Sequence, residues 1–234
     1  MNMKAISIAS CIVLVLLGCT GAWAQVGIVR TVEGDVRVLS GKLECAPRFG
    51  LDLDEGDTLR TGDKSWAMLV MIDGTRITVR PQSELTVTRY RYTDAGEITQ
   101  NLANLTLTRG AIRVVAGHMG KGRNAGFAVR TRDAEMLLRG ADHDIAYVAP
   151  EFAAKPKPGD PEQGTYAKVY GGEALLKSAG KEAKVQAGQS AYAGGKDKTA
   201  PKVLPSDPYF FHWHSFVDRR VASVIEKLDA EPLQ

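Results

Sequence analysis

The side chains that could do chemistry are few, and they are scattered. Asp142-His143-Asp144 sets an imidazole between two carboxylates, the residue types of a metal site or an acid–base pair. In an extended strand, however, Asp142 and Asp144 point to the face opposite His143, so the three do not converge. His212 and His214 are two apart on a predicted helix and diverge as well, since helical ligands need a spacing of three or four. The run at 118–126, HMGKGRNAG, is glycine-rich and basic but lacks the order of glycines, lysine and hydroxyl that cradles a phosphate. It reads as a solvated connection in preference to an anion site at Lys121 and Arg123. No nucleophile elbow is present, and Asp54-Glu55 falls in a turn, where hydration accounts for it. These residues predict no catalytic, cofactor or metal site, and no enzyme.

Charge excludes another class. The chain has 30 Lys and Arg against 27 Asp and Glu in 234 residues. A balance this close to neutral argues against nucleic acid as a partner. Lys4 precedes an apolar run at 12–17 that is too short to span a bilayer and has the shape of a signal-peptide core. Two exits are open. Ala22-Trp23-Ala24 is a small-residue cleavage site that gives a mature start at Gln25, and it is the better pattern. Leu16-Leu17-Gly18-Cys19 resembles a bacterial lipobox, whose use leaves Cys19 lipidated and the protein membrane-anchored. The expectation is an exported, periplasmic protein with a signal peptide over 1–24. Cleavage after Ala24 leaves Cys45 as the one cysteine, hence no intrachain disulfide. Its habits favour a buried small hydrophobe over intermolecular pairing.

The elements that hold these residues are strands. The strongest signal is 66–80, WAMLVMIDGTRITVR, two apolar runs around Asp73-Gly74. Read as a two-residue type I′ turn, it pairs Ile72 with Thr75, Val70 with Ile77 and Met68 with Val79 on one face. The other face then takes Met71, Leu69 and Ala67 with Arg76, Thr78 and Arg80. Short strands are also predicted at 26–31, 35–39, within 51–63, and at 82–90. Tyr90-Arg91-Tyr92 at the end of the last reads as tyrosines laid over a half-buried sheet. Strands at 105–108 and 111–115 flank Arg109-Gly110 as a second hairpin-like signal. Further strands fall at 127–131 and 134–138, with a turn at 139–142 leading into 143–148. The last are at 165–170, 173–177, 183–186 and 190–193. The proline-rich stretch at 150–164 is an exposed excursion. Gly34, Gly110 and Gly172 each precede an apolar strand, at irregular intervals. Many short strands with turns between them predict an all-β domain over 25–193, a rolled sandwich or an irregular β-solenoid.

Beyond it, 194–207 reads as a linker of glycine, lysine and proline, and 208–230 as an amphipathic helix with Pro208 in its first turn. Phe210, Trp213, Val217, Val221, Val224 and Leu228 recur at three and four residues. With Tyr209 and Phe211 they make a candidate partner or dimer face, against the plainer reading that the helix packs on its own β domain.

The order of several motifs resembles the FecR domain, the periplasmic portion of iron-responsive sigma-factor regulators. They are Gly34-Asp35-Val36-Arg37-Val38, Glu55-Gly56-Asp57-Thr58-Leu59-Arg60-Thr61-Gly62, 67–79 with Asp73-Gly74-Thr75, and Ser83-Glu84-Leu85. Then come Leu107-Thr108-Arg109-Gly110, Phe127-Ala128-Val129-Arg130-Thr131, Leu138-Arg139-Gly140-Ala141, Val169-Tyr170-Gly171-Gly172-Glu173 and Ala187-Gly188-Gln189. The resemblance spans roughly 27–193, with one departure at Ala141-Asp142, where the family commonly has threonine after the glycine. It implies an all-β interaction domain without catalysis. Because the β region follows the export signal directly, the expectation is a protein that lacks the family's cytoplasmic anti-sigma part. The function expected is an envelope protein-interaction module for signalling or scaffolding, with a membrane sensor or transducer as partner, or a homodimer. The alternative is a glycan or cell-wall-binding β module, which an exposed aromatic row on one sheet would favour.

Overall fold

The computed structural model describes residues 25–94, 101–121, 126–151, 161–195, 199–208, 210–211 and 223. Their fold is nearly all β, an open sheet of 15 strands. The strands are β1 (Gly27–Glu33), β2 (Val36–Ser40), β3 (Leu43–Cys45), β4 (Leu51–Leu53), β5 (Thr58–Thr61), β6 (Trp66–Met71), β7 (Arg76–Val79) and β8 (Glu84–Arg91). They continue with β9 (Leu102–Val115), β10 (Gly126–Arg130), β11 (Glu135–Val148), β12 (Gly164–Ser178), β13 (Lys181–Gln186), β14 (Ser190–Gly194) and β15 (Thr199–Val203).

Three long strands give the sheet its form. The first half of β9 pairs with β8 and β10, and its second half with β7 and β11. β11 and β12 divide their partners in the same way. The sheet therefore has two wings joined by the bends of β9, β11 and β12. One runs β3-β2-β5-β8-β9-β10-β11-β12-β13, and the other β4-β1-β6-β7-β9-β11-β12-β14-β15. Both line one core: Val38, Leu59, Leu85, Leu105, Phe127 and Leu176 come from the first wing, and Val29, Leu69, Ile77, Ile112, Ile145 and Val169 from the second. Strands bend sharply between packed layers only where a glycine or bulge relaxes the backbone.

The bends fall on glycines. Gly110 in β9, Gly140 in β11 and Gly172 in β12 have φ of 81°, 110° and 90°. Gly34, with φ 81°, turns the chain from β1 in one wing to β2 in the other. Two of these corners share one device. The Ser83 hydroxyl accepts from the Ala111 amide at 2.8 Å, just after Gly110, and the Ser65 hydroxyl accepts from the Asp35 amide at 2.9 Å, just after Gly34. Each serine follows a residue with positive φ, Gln82 or Lys64, and each donates to a carbonyl two residues back.

Several expectations are corrected. Arg109-Gly110 is a bend within one strand, not a second hairpin, and 139–142 likewise continues β11 without a turn. The central hairpin is slipped by one residue. Ala67 pairs with Val79, Leu69 with Ile77 and Val70 with Arg76, while Met71 and Thr75 close a three-residue loop with Gly74 at φ 79°. A three-residue loop ending in a left-handed glycine replaces the two-residue turn. The slip moves Ala67, Leu69 and Met71 into the core with Ile77 and Val79 and leaves Ile72 at 45% exposure. Cys45 is a free, exposed thiol on β3, not a buried one. The stretch 194–207, expected as a linker, contains β15, which pairs with β14. The expected helix at 208–230 and the segment 1–24 lie outside the described residues, apart from Pro208, Phe210, Phe211 and Ser223.

Candidate functional site

Asp73 explains the hairpin slip. Its carboxylate accepts from the Thr75 amide (3.0 Å) and hydroxyl (2.8 Å), the Tyr90 hydroxyl (2.7 Å) and the Met119 amide (3.1 Å). A buried carboxylate this well satisfied fixes its loop, because any lost partner would leave a desolvated charge. The Asp-Gly-Thr motif is therefore a knot that ties the hairpin, β8 and the 3-10 turn at Met119–Lys121 together. Burial, then the Asp73 charge, push the Tyr90 phenol well above its ordinary range, so it donates as a neutral hydroxyl. Tyr90→Phe removes one hydrogen bond to a charged acceptor. It is expected to lower stability by about 1.5–3 kcal/mol in urea unfolding, with the native strand signature kept.

The Asp142-His143-Asp144 run alternates as a strand must. His143 is fully buried on the core side, its Nε2 3.1 Å from the Glu173 carbonyl oxygen. The carboxylates turn to the outer face of the second wing, Asp142 to Arg113 and Asp144 to Arg80. Desolvation holds the imidazole below its ordinary pKa, so it is neutral in the fold. The unfolded chain takes up a proton near pH 6.5 while the folded chain resists, so stability present above that pH is lost as pH falls towards the folded value. Urea midpoints measured from pH 7 to 5 are expected to decline, and His143→Gln is expected to flatten that decline.

The outer face of the second wing gathers a dense polar cluster. Cross-strand register sets Thr78, Arg113, Asp144, Lys168 and Ser190 in one row. Arg80 makes a bidentate pair with Asp144 at 2.8 and 3.1 Å, and the side chains are 1% and 0% exposed. The Tyr170 hydroxyl donates to the same carboxylate at 3.1 Å, and the Arg113 guanidinium lies 4.9 Å from the Tyr170 ring centre. Lys168 donates to both Asp207 oxygens at 2.7 and 2.8 Å and to the Gly188 carbonyl at 2.9 Å, and Ser190 donates to Asp207 at 2.6 Å. Beside this row runs an apolar one, Ala111, Ala146, Tyr166 and Tyr192. Phe210 and Phe211 pack there, with Phe210 edge-on to Tyr166 at 5.1 Å.

Of the residues singled out from the sequence, Phe211 is buried and Phe210 half-buried on this face. Tyr209, Trp213, Val217, Val221, Val224, Leu228, Cys19 and Arg123 lie outside the described residues. Lys121 ends the 3-10 turn. Tyr166 and Tyr192, an aromatic pair on one sheet face, lie under the chain's own Phe210 and Phe211, while Tyr170 remains 40% exposed. The Arg80–Asp144 pair was not foreseen, because 64 residues separate its members and only the register of β7, β9 and β11 joins them. No group of three metal-ligating side chains occurs among the described residues.

Two solved structures of a candidate anti-sigma factor from Parabacteroides distasonis ATCC 8503 are similar to the chain at 10% and 11% identity, each with a TM-score of 0.48. Each similarity covers 65% of this chain, and the chain spans 61% of the length of those structures. A cell surface anchoring domain is similar at 23% identity over 27% of this chain and 84% of its own, with a TM-score of 0.26. No curated protein matches. Residues 57–155 match the family model described as FecR protein. That span begins within the Glu55–Gly62 motif and takes in the Asp73-Gly74-Thr75 knot, the Gly110 and Gly140 corners and the Arg80–Asp144 pair, and over it the chain is similar to the FecR family.

Proposed function

We propose that the protein is a non-enzymatic interaction module of the cell envelope with a signalling or scaffolding role. Its partner is another envelope protein, a membrane sensor or transducer. The observation that carries this reading is the FecR match over residues 57–155. The outer face of the second wing supports it. Arg80, Arg113, Asp142, Asp144 and Lys168 are engaged with one another or with Asp207, an arrangement suited to holding a shape for recognition. The partner contact lies on that face, beside Phe210 and Phe211, which pack on the β domain. The protein works on the periplasmic side, either free after cleavage at Ala24 or anchored through Cys19.

Chemical crosslinking of the full chain in intact envelopes, with mass-spectrometric identification, tests this. The expected result is one discrete envelope protein joined through the second wing or the stretch that follows it. Recovery of cell-wall glycan alone, or turnover of an envelope substrate by the purified protein, would contradict it.

A further inference from the structure

Lys168 is buried, at 8% exposure. Its ammonium lies over the body of the sheet, with the Gly188 carbonyl on one side and Asp207 on the other. A buried ammonium needs a carboxylate, since a carbonyl alone does not offset its desolvation. That carboxylate comes from a segment that joins the domain late. After β15 the Leu204 amide donates to the Ser190 carbonyl, and the chain then leaves the sheet for Asp207. Three residues further on, Phe210 and Phe211 lie on Tyr166 and Tyr192, with the ring centres of Tyr166 and Tyr192 4.8 Å apart and those of Phe210 and Phe211 4.7 Å apart.

The β domain thus presents two matched features: a cation with a hydroxyl, Lys168 and Ser190, and an aromatic bed. The first recognises one carboxylate, and the second takes two rings three and four residues downstream. This occupant is tethered to the site through the chain that follows β15, but its contacts are those a short linear peptide makes with a receptor. We propose that Asp207, Phe210 and Phe211 form a strap filling a receptor site for an Asp-x-x-aromatic-aromatic segment, and that a partner polypeptide with this signature displaces it. Charge complementarity selects the carboxylate, because any occupant without one leaves Lys168 buried against a carbonyl. Tethering gives the strap an effective concentration of the order of millimolar, so a competing segment binds weakly until the strap is loosened. Engagement of the partner and release of the strap are then one exchange. This rests on the interaction-module reading and names the chemistry of its partner.

The test uses the full chain and a labelled hexapeptide of residues 206–211, SDPYFF, followed by fluorescence anisotropy. Asp207→Asn loosens the strap and is expected to raise the peptide's affinity at least tenfold over the parent chain. A peptide with asparagine in place of the aspartate is expected to lose that gain, and so is the double variant Asp207→Asn with Lys168→Met. Should the variants fold poorly, the parent chain still decides. Excess peptide is expected to speed hydrogen exchange at the Phe211 amide, which donates to the Pro208 carbonyl at 3.1 Å, and to leave core amides unchanged. Equal affinity of both peptides, or unaltered Phe211 exchange at saturating peptide, would overturn the strap. Peptide exchange without any envelope crosslink would keep the strap and remove the proposed partner. A crosslink without exchange would remove the strap alone.

Discussion

Replacing Asp144 by alanine is expected to lower the unfolding free energy by about 3–5 kcal/mol, the range for breaking a buried pair by removing one partner. Asp144 and Arg80 are 0% and 1% exposed, and two parallel hydrogen bonds join them. Taking away the carboxylate leaves a guanidinium in a low-dielectric site and strips the Tyr170 hydroxyl of its acceptor. For a domain of this size the loss corresponds to a fall of about 10 °C in Tm. The pair need not add stability over apolar side chains of similar volume. Arg80→Met with Asp144→Leu is therefore expected to recover most of the loss. Urea unfolding of Arg80→Met, Asp144→Leu and the double variant gives the coupling directly. Additive losses would mean that the pair is not the contact that matters.

The second large effect is expected at a corner. Gly110 has φ 81°, and a Cβ there would meet the Ser83 Cα at 2.5 Å. Gly110→Ala combines a left-handed backbone cost of about 1–2 kcal/mol with a clash that flexible side chains cannot relieve. It also pushes Ser83 away from the Ala111 amide that it caps. A total above about 3 kcal/mol is expected from these combined mechanisms. Gly180→Ala is the matched control: its φ is 72°, and a Cβ there meets nothing within 4 Å. It should cost only the backbone share, about 1–2 kcal/mol. Equal losses at the two positions in thermal unfolding would show that the corner is not tightly packed.

These corners also mark how far the sequence could be read. The recurrence of Gly34, Gly110 and Gly172 ahead of apolar strands is visible in the chain, and all three take positive φ at bends. What their spacing does not convey is that β9 and β12 continue through the glycine. A strand that bends and a strand that stops share the same glycine signal, and the neighbours on either side decide between them. The hairpin shows a second limit. Asp-Gly suits both a two-residue and a three-residue loop, and the choice fell to Tyr90 and Met119, 17 and 46 residues away, whose donors capture Asp73. Alternation within a strand is local, so the opposed directions of His143 and its two aspartates were legible. The pairing of Asp144 with Arg80 was not, because it depends on the register of strands distant in sequence. Lys168 gave no signal at all: its partner Asp207 lies 39 residues on, in a stretch whose composition suggests a linker.

The most direct test of the interaction reading is site-specific photocrosslinking in intact envelopes, with a photoreactive phenylalanine at one position at a time in the full chain. Tyr170 reports on the outer face of the second wing, where it is 40% exposed, and Leu43, at 77% exposure, reports on the far edge of the first wing. A discrete protein adduct is expected from position 170 and none from position 43. An adduct from position 43 alone, or glycan as the only adduct from position 170, would contradict it.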